Sequence, residues 1–370
     1  MSSFIPVNQP LLEGNEKKYL NECINSGWIS SEGRFVKLLE KKFSNYIGRK
    51  YGIAVSSGTA AIEIAFNTLN IKKDDEVIMS TFSIISCVLP LIRINAKPVL
   101  VDCDPLTWNI DHTQIEKKIT KKTKAIMITH IYGLSVDVNP ILKIAKKYKL
   151  KIIEDAAESH GLKYKNKFCG SFGDISIFSF YSNKLITTGE GGMILTNNKN
   201  ISNKSKSLRN LCFNNKNRFK HYDLGWNYRM SNVQAAIGLA QFEKINFFIK
   251  KKILMGQFYT NNLKNLKTIQ IPLIKTQYCE NIYWVYGIVL KNNCKISASK
   301  AMKILAKKGI GSRPFFYPIN KQPILNKYGY FKNVSCPIAE KISKNGFYIP
   351  SGLSLSKLEM KKVSDTLNEI

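Results

Sequence analysis

The stretch YSNKLITTGEGG (residues 181–192) places Lys184 between an aromatic β run and a glycine-rich turn. A lysine at the end of an apolar strand can lose part of its hydration, which lowers the pKa of its amine. The neutral amine is the form that attacks a carbonyl carbon and forms a Schiff base. The alternative is a surface lysine whose stem lies along apolar side chains, and Lys184 alone does not separate the two.

A second stretch, AVSSGTAAIEIA (residues 54–65), has the pattern of a strand, a Ser-Ser-Gly-Thr turn and a helix start. Amides of a first helical turn, together with the hydroxyls of Ser57 and Thr59, can bind a phosphate. An ordinary helix cap has the same pattern, so this stretch is a weak indication by itself.

A third stretch, IIEDAAESHG (residues 152–161), ends a buried-looking strand in two carboxylates. A buried Asp155 without a partner would be costly, so it is either a helix cap or the partner of a ligand cation. Together the three stretches supply a phosphate cradle, an anion and an amine. Pyridoxal phosphate needs these three groups, for its phosphate, its pyridine nitrogen and its aldehyde.

Short β-branched runs alternate with helical patterns such as 60–69 and 140–148 through the first half of the chain. Several runs are apolar without alternation, which is typical of strands covered on both faces. This pattern predicts an α/β fold with a doubly wound, mostly parallel sheet, whose ligands gather at the carboxyl ends of the strands. The predicted strands are 51–55, 76–80, 98–104, 125–133, 151–157, 175–180 and 192–197.

One long helix is predicted over residues 231–252, with a lysine triplet at its end, and the residue pattern changes after it. A predicted strand (283–290), a helix (299–308) and the segment RPFFYPINKQP follow. A chain of 370 residues is too long for one compact core. We therefore predict an N-terminal arm with a large domain over 1–250 and a smaller C-terminal α+β domain over 251–370.

The net charge of +30 is the strongest signal in the composition, and nucleic-acid binding is its first interpretation. The charge comes from lysine doublets spread evenly along the chain, without a basic tail. This distribution favours a solvated surface over a nucleic-acid-binding stripe. A cationic surface would still attract a small anionic substrate.

The eight cysteines are scattered, without a C-x-x-C pair, which favours reduced thiols over disulfides or a zinc site. We therefore predict no metal site. No apolar run approaches the roughly 18 residues of a membrane helix, and the first residues lack the pattern of an export signal. The expected location is the cytoplasm, without membrane association.

Three segments, EDAAESHG, GSFGDISIFSFYSNKLITTGEGGMILTN and GWNYRMSNVQAAIGLAQ, resemble the DegT/DnrJ/EryC1/StrS family of pyridoxal-phosphate sugar aminotransferases. The resemblance runs from EGNEKKYLNECINSGWISSEGRFV to RPFFYPIN, almost the whole chain. It implies the aminotransferase fold of type I. The stretches SGWISSEGRF and WNYRMSNVQAAIGLAQ are most similar to the branch that aminates C4 of a GDP-linked 4-keto-6-deoxyhexose.

The resemblance implies a role for each matching residue. Lys184 would form the Schiff base with the cofactor, and Asp155 would pair with its pyridine nitrogen. Glu158 would lie at the 3-hydroxyl, and Asn227 would reach the phosphate from the neighbouring subunit of a homodimer. The implied phosphate contacts are Ser57, Gly58, Thr59 and Ser179, and the implied substrate contacts are Trp28, Ser30 and Arg313.

The chain departs from the family pattern at two positions. Where the family usually stacks an aromatic residue on the cofactor ring, this chain has Ile84, so either Ile84 covers the ring or Phe82 replaces it. Asn320 stands where many relatives have His, so the resemblance assigns no substrate contact to it. His160 belongs to the strand-end motif, and we interpret it as a structural or supporting residue.

The activity implied is a transamination in two halves, from glutamate to the C4 keto group of a nucleotide-linked 4-keto-6-deoxyhexose. The branch resemblance favours GDP-4-keto-6-deoxymannose as acceptor and GDP-perosamine as product, destined for a surface polysaccharide. A 3-aminotransferase or 3-dehydratase acting on a related ketosugar is the alternative within the family. A basic nucleic-acid-binding protein is the alternative of another class.

Overall fold

The computed structural model describes residues 4–214 and 216–369. Its helices are Glu16–Ser26 (α1), Arg34–Ile47 (α2), Gly58–Thr68 (α3), Leu89–Arg93 (α4), Val138–Tyr148 (α5), Lys199–Arg209 (α6), Asn232–Glu243 (α7), Ile245–Leu263 (α8), Ala298–Lys307 (α9), Pro323–Lys327 (α10), Pro337–Asn345 (α11) and Lys357–Asn368 (α12). Its strands are Tyr51–Val55 (β1), Glu76–Ser80 (β2), Lys97–Val101 (β3), Thr123–Thr129 (β4), Lys151–Asp155 (β5), Lys163–Tyr164 (β6), Lys167–Phe168 (β7), Ile175–Ser179 (β8), Gly192–Thr196 (β9), Ile269–Gln270 (β10), Tyr286–Leu290 (β11), Arg313–Pro314 (β12) and Gly346–Ile349 (β13).

The largest sheet of the described residues has seven strands in the order β1-β9-β8-β5-β4-β2-β3. The pairs from β3 to β8 are parallel, whereas β9 runs antiparallel to both β8 and β1. All residues of β8 and β9 are buried, because helices cover both faces of the sheet. The predicted α/β class with a mostly parallel sheet is confirmed.

The carboxyl ends of three neighbouring parallel strands meet at one edge of this sheet. There β4 ends at Thr129, β5 at Asp155 and β8 at Ser179. The predicted strands 125–133 and 151–157 extended too far, because the chain leaves the sheet at this edge to line a cavity. The edge therefore positions the site.

The prediction of one helix over 231–252 is wrong. The chain breaks at Lys244, so α7 and α8 are separate helices, and the lysine triplet lies inside α8 instead of ending it. The third lysine, Lys252, is 2% exposed. Its ammonium group can be buried because two backbone carbonyl groups, those of Trp284 and Ser351, accept its hydrogen bonds.

A smaller sheet in the order β10-β11-β13-β12 forms the C-terminal α+β part together with α9 and α12. Its core contains large buried side chains such as Tyr259, Tyr286 and Phe347. The division of the chain at residue 250 stays a prediction, and residue 250 itself lies within α8.

The N-terminal segment 4–10 lies against the C-terminal part of the chain. Ile5 forms a parallel bridge with Ile310, and the carbonyl oxygen of Val7 accepts a hydrogen bond from the amide of Ser351. The side chain of Asn8 donates a 2.6 Å hydrogen bond to the carbonyl oxygen of Asn183, the residue before Lys184. This segment therefore reaches the neighbourhood of Lys184.

Among the residues that the structure describes, no helix has both the length and the apolar character that a bilayer crossing requires.

Candidate active site

A cavity of about 320 Å³ opens at the sheet edge where β4, β5 and β8 end. Most of the residues that the sequence singled out line this one cavity, although they come from distant parts of the chain. The predicted residues that line it are Ser57, Gly58, Thr59, Ile84, Asp155, Glu158, Ser179 and Lys184.

One wall of the cavity is the amino end of α3. Ser57 caps this helix, and its hydroxyl accepts a 3.1 Å hydrogen bond from the amide of Ala60. The amides of Gly58 and Thr59, in the first turn, have no acceptor within the helix, so they remain for a ligand. An anion placed there would also interact favourably with the helix dipole.

Gly192, the first residue of β9, allows the backbone of this wall to approach closely. A Cβ atom at this position would lie 2.5 Å from the carbonyl oxygen of Ser57, which is closer than such atoms come. The glycine turn that follows Lys184 in sequence is therefore also what lets β9 pack against the start of α3.

The floor of the cavity carries Asp155, which is 2% exposed. One carboxylate oxygen accepts a hydrogen bond from the amide of Ala157 (3.1 Å), and the other accepts one from the thiol of Cys87 (3.3 Å). Burial raises the pKa of Asp155 above its ordinary value, although both hydrogen bonds and the charge of Lys184 oppose this. A cation arriving in the cavity would therefore find a poorly compensated carboxylate.

The neighbouring carboxylate, Glu154, points to the opposite face of the sheet, as side chains alternate along a strand. It is fully buried, and it accepts hydrogen bonds from the amides of Gly170, Phe172 and Gly173 and lies 3.0 Å from His130 Nε2. Burial alone would raise the pKa of Glu154, but the bonds from His130 and the amides lower it overall. Glu154 is thus a structural carboxylate, whereas Asp155 faces the cavity.

Lys184 lies within the cavity, with 11% of its side chain exposed and its Nζ atom 3.8 Å from Glu158 Oε1. Burial lowers the pKa of Lys184, while the charges of Glu158 and Asp155 oppose this shift. Burial raises the pKa of Glu158, although Lys184 and the amide of Tyr132 oppose it. Both groups are therefore driven towards their neutral forms, which is the state an amine nucleophile needs.

Trp284 is a residue of this cavity that the sequence reasoning missed. Lys184 Nζ lies 4.0 Å from the centre of its indole ring, and the indole N–H donates a 2.9 Å hydrogen bond to the carbonyl oxygen of Asn183. The predicted strand 283–290 included Trp284, but the strand begins only at Tyr286. The sequence did show an aromatic residue, Trp284, next to a strand. It did not indicate which cavity the side chain of Trp284 would reach.

Four predicted residues lie outside this cavity. Trp28 is exposed, and Trp28 and Ser30 accept hydrogen bonds from Asn232 through their carbonyl oxygens. Asn227 forms a bridge with Asn210. Arg313 lines an adjoining cavity of about 580 Å³, whose wall shares Tyr181, Asn183 and Tyr348 with the first.

At the first of the two positions where the chain departs from the family pattern, the alternatives Ile84 and Phe82 lie in different surroundings. Ile84 lines the cavity and is 46% exposed, whereas Phe82 is fully buried against the rings of Tyr132, Phe315 and Phe316.

Asn320 is buried, and it accepts a hydrogen bond from Thr81 and donates to Glu340 and to the carbonyl of Val334. These partners give Asn320 a role in holding the fold together.

His160 is buried among the rings of Phe43, Phe178 and Phe180. Burial and the charge of Lys184 lower the pKa of His160 to about 3, so its ring is neutral at physiological pH. A neutral ring packed among aromatic side chains agrees with a supporting role.

The family model described as the DegT/DnrJ/EryC1/StrS aminotransferase family matches residues 10–368. The chain belongs to this family.

Among curated relatives, a protein of Escherichia coli O157:H7 named GDP-perosamine synthase is 39% identical over 366 residues, which cover 99% of this chain and 98% of that relative. A protein of the same name from Vibrio cholerae is 35% identical over 363 residues, with 98% of each chain covered.

Solved structures of the same fold include the Helicobacter pylori aminotransferase PseC, which is involved in the biosynthesis of pseudoaminic acid. Its TM-score is 0.93 at 24% identity, with 99% of each chain covered. A sugar aminotransferase of Streptococcus pneumoniae, Spr1654, has a TM-score of 0.92 at 23% identity, covering 99% of this chain and 97% of that one. These likenesses confirm the predicted aminotransferase fold of type I.

Proposed function

We propose that this chain is a pyridoxal 5′-phosphate-dependent sugar aminotransferase that moves an amino group from glutamate to C4 of GDP-4-keto-6-deoxymannose, forming GDP-perosamine. The observation that carries this proposal is the meeting of Lys184, Asp155 and the start of α3 in one cavity. The two relatives named GDP-perosamine synthase support the choice of substrate.

The residues of the cavity fit the three parts of the cofactor. The phosphate would be held at the amino end of α3. Ser57, Gly58 and Thr59 form this end, and Ser179 lies beside it. Asp155 would pair with the protonated ring nitrogen, since it lies buried in the cavity, where a cation would offset the burial that raises its pKa.

The remaining cofactor contacts are apolar and acidic. Ile84 would cover one face of the ring, because it lines the cavity where Phe82 does not. Glu158 would lie at the ring hydroxyl, beside Lys184. When bound, pyridoxal phosphate supplies an aldehyde that captures amines and a ring that withdraws electrons from the neighbouring carbon.

Lys184 has two tasks in this proposal. Its neutral amine is the group that would hold the cofactor covalently between turnovers. Once free, the same amine takes the proton from Cα of the amino donor in the first half of the reaction. In the second half Lys184 returns a proton to C4 of the sugar. Burial, which lowers its pKa, keeps the amine able to do both near neutral pH.

The adjoining cavity offers room for the part of the substrate beyond the sugar. Arg313 lines it, and a guanidinium group favours the negative charge of a diphosphate. The shared wall of Tyr181, Asn183 and Tyr348 connects this space with Lys184. We therefore propose that Arg313 contacts the nucleotide part of the substrate.

We also propose a homodimer in which each site takes residues from both subunits. Asn227, Trp28 and Ser30 match cofactor and substrate contacts by resemblance, yet they lie outside the cavity of their own chain. Trp28 is 58% exposed, so its ring is accessible to a second copy. A symmetric dimer would bring these residues to the partner's cavity.

A product assay tests the proposed reaction. The purified protein with pyridoxal phosphate, glutamate and GDP-4-keto-6-deoxymannose is expected to form a GDP-linked 4-amino sugar, identified by mass spectrometry and NMR. The matched control is Lys184→Ala, which should form none. Amination or loss of oxygen at C3 would instead establish the alternative activity, and no reaction with any nucleotide ketosugar would refute the proposal.

Complementation between two inactive variants tests the shared site. Co-expressed Lys184→Ala and Asn227→Ala subunits form mixed dimers in which one of the two sites has both native residues. About a quarter of the wild-type activity should then return, because half of the dimers are mixed. If Asn227 served its own chain's cavity, no activity would return above that of the separate variants.

A further inference from the structure

Trp284 makes three contacts, one with Lys184, one with its neighbour Asn183 and one with Lys252. Its indole face lies 4.0 Å from Lys184 Nζ, and its N–H donates to the carbonyl oxygen of Asn183 at 2.9 Å. Its own carbonyl oxygen accepts a 2.7 Å hydrogen bond from Lys252. The ring, the ring nitrogen and the backbone of one residue are therefore all engaged, and the ring is fixed in position over the amine.

The face of an indole ring is electrically negative and attracts an ammonium group within about 6 Å of its centre. Trp284 is 4% exposed, so little water weakens this attraction. The charged or titratable groups that act on Lys184 from the surrounding elements are Glu158, Asp155, Cys87 and His160. Lys184 Nζ thus has the carboxylate of Glu158 at 3.8 Å as well as the ring.

We propose that Trp284 is a positioning residue whose indole face receives the amino group of Lys184 whenever this group is not bonded to the cofactor. This inference rests on the proposed function, in which Lys184 is released in the first half of the reaction and bonded to the cofactor again only at the end of the second. The ring holds the released amine at the wall of the cavity, and it stabilises the ammonium form that carries the proton. The N–H bond to Asn183 keeps the ring aligned with the segment that bears Lys184.

The pH dependence of Lys184 acetylation in the cofactor-free protein measures this contact directly. Competitive labelling with acetic anhydride, followed by mass spectrometry of the peptide that contains Lys184, gives the pH of half-labelling. Trp284→Leu removes both the ring and the N–H donor, whereas Trp284→Phe keeps a weaker ring. The half-labelling pH should fall by about 1 unit in Trp284→Leu and by less in Trp284→Phe.

Tyr348→Leu is the matched control, because it removes another aromatic side chain that lines the same cavity. It should leave the half-labelling pH of Lys184 within about 0.2 units, a shift that would be small beside a cation–π contact. An unchanged or higher value in Trp284→Leu, or an equal fall in Tyr348→Leu, would overturn the proposal.

Two further measurements keep the test decisive. A crystal structure of the cofactor-free wild type should show Lys184 Nζ on the indole face, and a separation beyond about 6 Å from its centre would contradict the inference even if the variants fail to fold. In turnover, Trp284→Phe should lower kcat more than it changes KM for the sugar nucleotide. Labelling needs no cofactor, so its failure differs from a failure of the proposed function, which the product assay detects.

Discussion

Lys184 is largely enclosed and Lys252 is buried, and both lysines touch Trp284. Lys184 Nζ lies against the indole face, whereas Lys252 Nζ donates hydrogen bonds to the carbonyl oxygens of Trp284 and Ser351. Burial lowers the pKa of each, and that of Lys252 falls to about 7. A perturbed pKa alone therefore does not distinguish a reactive lysine from a structural one.

The surroundings of the two amines make the difference. Lys184 lies in a cavity with two carboxylates, those of Glu158 and Asp155, and with space for a ligand. Lys252 has backbone acceptors that cannot move or change their charge, and burial is the cause that lowers its pKa. A reactive lysine thus needs space for a ligand and neighbouring groups that can gain or lose a proton, in addition to a neutral amine.

Substitution of each lysine should give the largest difference between the two positions. Lys184→Ala should lose the visible absorbance of the bound cofactor and at least about a thousandfold in turnover, because it removes both a covalent link and a proton carrier. Lys252→Met should keep the visible absorbance. Absorption spectra and steady-state rates of both variants check this, and normal turnover by Lys184→Ala would refute the assignment.

The two carboxylates at the end of β5 extend the comparison. Asp155→Asn should lower turnover by about a hundredfold, since it removes the charge facing the cavity while keeping the shape of the side chain. Glu154→Gln should instead lower the free energy of unfolding by about 2 kcal/mol, because Glu154 accepts several buried hydrogen bonds.

Rates and urea unfolding of both carboxylate variants separate these effects. An unfolding loss in Asp155→Asn as large as in Glu154→Gln, with turnover unchanged, would show that both groups are structural.

The pH dependence of the free energy of unfolding should reveal the lowered pKa of Lys252. Its pKa is about 7 in the folded protein, whereas an unfolded lysine keeps its proton to about pH 10. Above pH 7 the unfolded state therefore binds more protons, and the free energy of unfolding rises with pH. Relative to Lys252→Met, the wild type should gain up to about 1.4 kcal/mol per pH unit between pH 7 and 9.

Urea unfolding at pH 7, 8 and 9 measures this slope. Lys251→Met, which removes the preceding and more exposed lysine of α8, is the control and should keep the wild-type slope. Equal slopes in the wild type and Lys252→Met would mean that Lys252 keeps its proton when buried.

The smallest effect should come from removing a carboxylate charge near Lys184, which would leave its surroundings more like those of Lys252. Glu158→Gln removes the carboxylate 3.8 Å from Lys184 Nζ, whose charge raises the pKa of the lysine. The half-labelling pH of Lys184 in the cofactor-free protein should fall by about 1 unit or less. Glu190→Gln, an exposed carboxylate lining the same cavity, should change it little, and equal shifts in the two variants would remove the special role of Glu158.

Much of the site could be predicted because each of its parts is a short motif, although the motifs lie far apart in the sequence. Asp155 and Ser179 end neighbouring strands, and Ser57 caps a helix that begins beside them, so strand patterns and cap residues brought them to one edge. The family resemblance assigned roles to these residues.

Other features depend on packing between distant segments. Trp284 reaches Lys184 from about 100 residues further along the chain. Lys252 belongs to a lysine triplet that was predicted to end a helix, and the carbonyl groups of Trp284 and Ser351 make its burial possible. The break at Lys244 was hidden because apolar residues continue through it.

The N-terminal segment has a practical consequence for handling the protein. Phe4, Pro6, Val7 and Asn8 line the same cavity as Arg313, and Asn8 is hydrogen-bonded to the residue beside Lys184. A purification tag at the amino end would therefore be attached within a few residues of that cavity and would compete with a sugar nucleotide for it. Among the described residues none of α12 lines either cavity, so recombinant protein for kinetic work should carry its tag at the carboxyl end.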